Sequence, residues 1–258
     1  MMQPSSRPWW RPRLKRSPCQ ARRRANLSKL SVLRLLAGMV LVCACGSDRS
    51  ARSHDSQSSD AGDNTCLQYL REQKVRFASA PPLRGVRTPV EPRGPINGIR
   101  LTPRGGLAAV MDCELLRALY EAAPTIARAG VNELSFSGAY VYRTRHRSNI
   151  LSAHSYGLAI DVHALRGPGG DLDITRDFEK NRRAWRELKT RDGDMNACVG
   201  SARTGKARRL RRLACELKHH SAFRVIITPD DDADHRDHIH IETFSDPEAR
   251  VARVMGAF

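Results

Sequence analysis

"SAHSYGLAIDVHA", residues 152–164, decides how the rest of the chain is read. Its second half alternates. Leu158, Ile160 and Val162 fall on one face of an extended strand, with Ala159, Asp161 and His163 on the other. The apolar face belongs in a core, so Asp161 is an ionisable group in a stretch that otherwise reads as buried. A carboxylate in such a place is paired, protonated or bound to a metal. Small Ala159 leaves room beside it. Gly157 permits a sharp turn that folds His154 back toward Asp161, and Ser152 can fix the loop that carries His154.

A second stretch, "HRDHIHIETF" at 235–244, offers a partner for this face. On a strand His238 and His240 point one way while Ile239 and Ile241 point the other. Two imidazoles side by side bind metal, serve as acid and base, or hydrogen-bond to carboxylates. One His and one Asp from the first stretch plus one His from the second make three ligands. Three ligands leave a fourth zinc position open, as in catalytic sites, whereas structural sites close with four. Zinc in such a site brings water close to neutral acidity and polarises a carbonyl. Among divalent ions, His/Asp/His ligation suits zinc best.

Outward from these stretches, periodicity predicts helices over 66–74, 112–129, 175–190 and 204–220, and strands in "ELSFSGAYVYR" (133–143), "FRVIITP" (223–229) and "HIHIETF" (238–244). Asp112 can cap the second helix, whose Leu115, Leu116 and Leu119 share a face, and Pro124 should kink or restart it. "PPLRGVRTPVEPRGP" (81–95) reads as a surface loop. The arginine-dense segment 203–220 reads as a solvated amphipathic helix. With no repeat and no second linker, residues 65–258 form one domain of the α+β class, a small mainly antiparallel sheet flanked by helices.

The formal charge of +17 is unevenly placed. Residues 1–44 hold ten basic residues and no acid, and without them 34 basic face 27 acidic residues, a net of +7. The basic excess therefore gives no reason to expect a nucleic-acid partner. A basic leader running into "LLAGMVLVCA" (35–44) reads as a signal peptide over 1–44, its apolar run being too short to span a bilayer comfortably. "VCACGS" (42–47) resembles the lipobox of bacterial lipoproteins, with Cys45 as the acylated residue. The Ser- and Asp-rich residues 45–64 then read as a flexible tether. Cys19 and Cys43 would leave with the signal and Cys45 would carry lipid, so Cys66, Cys113, Cys198 and Cys215 remain. Four cysteines allow three pairings in an oxidising compartment. Cys66–Cys113 and Cys198–Cys215 are favoured because each closes a local loop.

"SAHSYGLAID" resembles the S-x-H-x-x-G-x-A-x-D signature of zinc D-Ala-D-Ala carboxypeptidases, and "HIH" resembles the second motif of the wider group that includes lysostaphin-type and hedgehog-type domains. More closely, Cys66 to Glu242 resembles the bacterial extensin-like C-terminal domain family. Its elements occur here in order: Pro89-Val90, Cys113-Glu114-Leu115, Tyr140-Val141-Tyr142-Arg143, Ser152 to Asp161, and His235 to His240. The resemblance implies His154, Asp161 and His240 as zinc ligands. It places His238 toward the reacting water or oxyanion, with Asp237 as the second choice of general base, and Arg143 on the substrate. His235 and Ser152 would be auxiliary, and His163 a supporting or surface residue. Tyr142 and the segment "GVRTPV" (85–90) lack cysteines common in that family, as expected if one of its disulfides is missing here. The implied activity is a zinc-dependent peptidase acting on peptidoglycan peptides, either a D-Ala-D-Ala-type carboxypeptidase or a cross-link endopeptidase. It would be exported to the bacterial envelope, held at the membrane by Cys45 and facing the periplasm. The competing expectation is a non-catalytic, zinc-containing wall-binding or structural module of the same fold.

Overall fold

A computed structural model describes residues 57–106, 108–180, 199–200 and 202–245, with side chains from Thr65 onward. The signal segment, Cys45, the first part of the tether and Cys198 lie outside the described residues. In chain order the elements are α1 (Gln57–Glu72), β1 (Phe77–Ser79), β2 (Pro89–Pro92), β3 (Arg100–Pro103), β4 (Met111–Asp112), α2 (Cys113–Arg128) and β5 (Glu133–Ser137), followed by β6 (Ala159–Arg166), β7 (Leu172–Asp173), α3 (Ile174–Asp177), α4 (Gly205–His219), β8 (Phe223–Ile227) and β9 (Ile239–Thr243). The class is α+β.

The main sheet has the order β3-β5-β6-β9-β8, with β7 also paired to β6. Only β3 and β5 run parallel; the other described pairs are antiparallel. β6 is the inner strand, and its alternation sorts the molecule into two sides. Ile160 and Val162, with Ile239 and Ile241 of β9, enter the hydrophobic core beside Leu115, Leu116 and Leu119 of α2 and Leu210 and Leu213 of α4. The other side of β6 and β9 carries Asp161 and His240, which the register sets directly opposite each other.

A second sheet, β1-β2-β4, is antiparallel and occupies part of the region read as a proline-rich loop. Pro89 and Pro92 stand at the two ends of β2, where a missing N–H is tolerated, and Val90 between them is buried. Helix α1 starts at Gln57, so the last eight residues expected as tether are helical. A composition too polar to build a core does not forbid extending a helix already nucleated by packing at Cys66 and Leu70, because propagation is far cheaper than nucleation. The strand expected over 133–143 stops at Ser137, since Gly138 takes a left-handed φ of 65° and turns the chain.

Helix α2 begins where Asp112 accepts a hydrogen bond from Glu114 N at 3.0 Å, while its other oxygen accepts from Arg87 N at 3.1 Å and Thr88 N at 3.0 Å. The helix continues through Pro124 instead of restarting there. Pro124 lies on the exposed side, where water can satisfy the carbonyl it leaves unpaired. The Cys66–Cys113 disulfide joins α1 to the start of α2. With a sequence separation of 47, loop-closure entropy gives it about 4 kcal/mol of stabilisation. Cys215 is buried and disulfide-bonded; its expected partner Cys198 is outside the described residues.

Of the helix expected over 175–190, the described residues 175–180 hold only the turn α3, which ends where Phe178 takes an extended backbone (φ −85°, ψ 98°). Asp173 caps it by accepting from Arg176 N, and Asp177 accepts from both Arg176 Nε at 2.9 Å and Nη2 at 2.8 Å. These bonds from Arg176 outweigh the effect of burial and bring the Asp177 carboxyl from 3.8 down to about 2. A carboxylate whose pKa is lowered by folding contributes stability above its unfolded pKa, and that contribution fades as pH falls toward the folded value. Stability should therefore decline between about pH 4 and pH 2 in part through this residue. Denaturant midpoints measured across that range should fall less steeply for Asp177→Asn than for the parent.

Candidate functional site

His154 arrives by a route set by local backbone chemistry. A single 3-10 turn, Ala153–Tyr156, ends at Gly157, which has a left-handed φ of 65° and donates its N–H to Ala153 O and His154 O. A β-carbon at Gly157 would sit 2.7 Å from Asp112 N, so strain and collision both reserve the position for glycine. Gly157→Ala should destabilise the fold by about 1–3 kcal/mol. It should also shift the His154 turn, with the destabilisation visible as a lowered thermal midpoint.

Three donor atoms converge. His154 Nε2 lies 3.3 Å from Asp161 Oδ1 and 3.2 Å from His240 Nδ1, and His240 Nδ1 is 2.9 Å from Asp161 Oδ1. All three residues are buried. Four ligands at zinc–nitrogen distances span tetrahedral edges of about 3.3 Å, so the three atoms have the spacing of one tetrahedral face.

The tautomers point the same way. His154 Nδ1 donates to Gly138 O, which leaves Nε2 with a lone pair. His240 Nε2 faces Glu242 Oε2 at 3.6 Å, and a proton placed there makes Nδ1 the inward lone pair; with no cation in the site, Nδ1–H instead donates to Asp161 Oδ1 at 2.9 Å. Two imidazole lone pairs directed at each other across 3.2 Å repel unless a proton or a cation lies between them. The set can hold a divalent cation, with a carbonyl and a carboxylate orienting the ligands from behind.

When protons rather than a cation occupy the site, His154 and His240 donate to Asp161: burial alone would raise its carboxyl, but these hydrogen bonds and the charges of His154 and His238 hold it well below the carboxylate range. Burial opposes protonation of His240, yet Asp161 and Glu242 carry its pKa above the ordinary value. In both cases local negative and positive groups prevail over desolvation.

His238 precedes β9 by one residue, so strand alternation does not govern Asp237. The Asp237 carboxylate is 2.9 Å from His238 Nδ1, and His238 Nε2 is 3.4 Å from Asp161 Oδ1. With Nδ1–H donated to Asp237, the neutral ring presents an Nε2 lone pair to the site. Asp237 therefore acts on the site through His238. His163 supports the same pair, with Nδ1 donating to Asp237 O at 3.1 Å and Nε2 accepting from Ser137 Oγ at 2.7 Å. Burial first, then the charges of Arg104 and His238, keep His163 below the usual imidazole value, in keeping with this neutral tautomer. His163, Asp237 and His238 make a second group of potential metal donors, but these bonds already engage their inward atoms.

A cleft of about 590 Å³ opens beside the three ligands and is lined by Arg143, Ser152, His235 and His238 among others. Arg143 is largely exposed, and its Nη2 reaches within 4.0 Å of Asp161 Oδ2. The His235 ring centre is 5.0 Å from that of His238, and its Nδ1 contacts Asp232 Oδ1 at 2.6 Å. Ser152 begins the His154 turn without a side-chain cap, but its N–H donates to Arg143 O at 3.0 Å. Arg143, Ser152, His154, His235, His238 and His240 thus line one cleft, and Asp161 and Asp237 contact its histidines.

Two contributors escaped the sequence reading. Ser155 Oγ accepts from Arg143 N at 2.9 Å and donates to Arg143 O at 2.7 Å, clamping the backbone that carries the arginine. Glu242 stands behind His240. Strand alternation put Glu242 on the His240 face, so it was within reach of the same argument. Ser155 has no such signal, because its partner lies across a loop.

Neither curated proteins nor solved structures offer a match to this chain. A family match does cover residues 64–253, a span that holds both site stretches and both sheets. On that match, the chain belongs to the family described as extensin-like protein C-terminus.

Proposed function

We propose that this protein is an exported zinc-dependent peptidase acting on the peptides of bacterial peptidoglycan, related in fold to the D-Ala-D-Ala carboxypeptidase and hedgehog-type group. The observation that carries the reading is the convergence of His154 Nε2, Asp161 Oδ1 and His240 Nδ1 within 3.3 Å of one another at the edge of an open cleft. A zinc ion held by these three residues would supply Lewis acidity and a water acidified toward neutrality.

The chain's own groups account for the remaining chemistry. His238 Nε2 takes a proton from the attacking water and returns it to the leaving amine, while Asp237 holds the ring in the tautomer this requires and steadies it when charged. Protonated, the same ring donates to the developing oxyanion. Arg143, fixed through its backbone by Ser155, presents a guanidinium fork to a substrate carbonyl or carboxylate at the cleft mouth. Acylation at Cys45 would hold the domain near the membrane, facing the wall, and the net positive charge would favour approach to anionic polymers.

The test is a digest. The full chain, purified in detergent and loaded with zinc, is incubated with peptidoglycan beside His238→Ala, and the muropeptides are read by mass spectrometry. Loss of one alanine mass, or conversion of cross-linked dimers to monomers, seen with the parent alone, supports a peptidase and names its bond. Unchanged muropeptides combined with retention on insoluble wall favour the non-catalytic binding module.

A further inference from the structure

A smaller recess of about 210 Å³ neighbours the cleft, and Arg145 and Glu242 line both spaces. Arg87, Arg145 and Arg224 bring three guanidinium groups to the recess, while Tyr156 and Leu158 give it an apolar wall. The volume suits a short side chain and falls below the range of pockets for larger ligands.

Two carboxylates share the lining, but both have other work. Asp112 spends its oxygens on the backbone N–H groups of Arg87, Thr88 and Glu114. Glu242 lies between the His240 ring at 3.6 Å and Arg224 Nη1 at 3.4 Å. The recess as a whole is cationic. It also adjoins the metal centre, because Glu242 touches a proposed ligand with one oxygen and a recess arginine with the other.

We propose that this recess is a subsite for a residue of the substrate peptide that bears a free carboxylate, placed next to the bond presented to the metal centre. The inference rests on the peptidase reading and specifies its substrate class. An acidic side chain entering past Tyr156 and Leu158 meets the forks of Arg145 and Arg224, and bidentate guanidinium–carboxylate pairing rewards a planar anion. A carboxamide of the same shape offers one accepting oxygen in place of two and no charge, so the subsite separates acidic from amidated peptides.

Two D-alanine-terminated tripeptides, alike except for a glutamate or a glutamine at the first position, distinguish these cases. Binding is measured by calorimetry and cleavage by mass spectrometry on the zinc-loaded full chain. The acidic peptide should bind about tenfold more tightly. Arg145→Ala and Arg224→Gln should each weaken that preference, leaving the affinity for the amide and the zinc content unchanged. Arg145 sits on an exposed arm, so its loss does not threaten the core. Equal affinity for the two peptides, failure to bind either one, or a preference that survives both substitutions overturns the subsite. Preference without cleavage keeps the subsite and removes the peptidase reading; cleavage without preference does the reverse.

Discussion

On the proposed peptidase reading, Asp161→Asn should leave a folded protein that neither retains zinc nor cuts peptidoglycan peptides. Asp161 is the one anionic member of the proposed ligand set, and its Oδ1 lies within 3.4 Å of nitrogens from His154, His238 and His240. Asparagine keeps the volume and one carbonyl oxygen, so β6 and its neighbours have no cause to repack. The charge that offsets a divalent cation is lost. Changes behind the ligands of metal sites already weaken binding by about 10–100-fold, and loss of a charged ligand should exceed that. Equilibrium dialysis against graded zinc, with metal read by mass spectrometry, gives the affinity directly. Stoichiometric zinc in the variant at the concentration that half-saturates the parent would count decisively against this ligand assignment. Circular dichroism of the same samples separates metal loss from unfolding.

Arg211→Ala should be among the most destabilising single changes in the domain. Arg211 and Asp230 are both 0 % exposed, and Nη1 is 2.6 Å from Asp230 Oδ2. The guanidinium also donates to Glu179 O at 2.9 Å and Val199 O at 3.1 Å, so it pins α4 to three other segments. Truncating it strands a carboxylate in the interior, which costs about 3–5 kcal/mol. For a domain of this size the thermal midpoint should fall by roughly 10 °C. The paired change Arg211→Met with Asp230→Leu removes both charges and should recover most of the loss, since buried ion pairs gain little over apolar replacements. A single variant within about 1 kcal/mol of the parent in urea titrations would mean that the pair is relieved by water. Asp230 opens the segment that leads to His235 and His238, so the same substitution should also loosen the histidine-lined side of the cleft.

Arg211 also marks a limit of reading by composition. Among Arg208, Arg209 and Arg212 it looks like one more solvated cation, and the helix as a whole reads as surface. Yet helical spacing places it with Ala207, Leu210 and Ala214, all buried, so the apolar stripe runs through it. The stripe was visible. That a charge could lie within it was not, because the compensating Asp230 and the Glu179 and Val199 carbonyls come from distant segments.

Local order alone offered the candidate donors, among which the family resemblance chose His240 over His238, together with the α+β class and the Asp112 cap. Each depends on periodicity within a few residues: strand alternation sets Asp161 and His240 away from the core, and Gly157 permits the turn that returns His154. Tertiary structure decided what no short window contains. The β6–β9 register sets Asp161 opposite His240, β2 finds partners for a proline-rich segment on both edges, and Glu242 joins the proposed metal site to an arginine-lined recess. Backbone geometry acts over neighbours in sequence. Pairing of sheet edges and neutralisation of buried charge act over neighbours in space, which only the folded chain brings together.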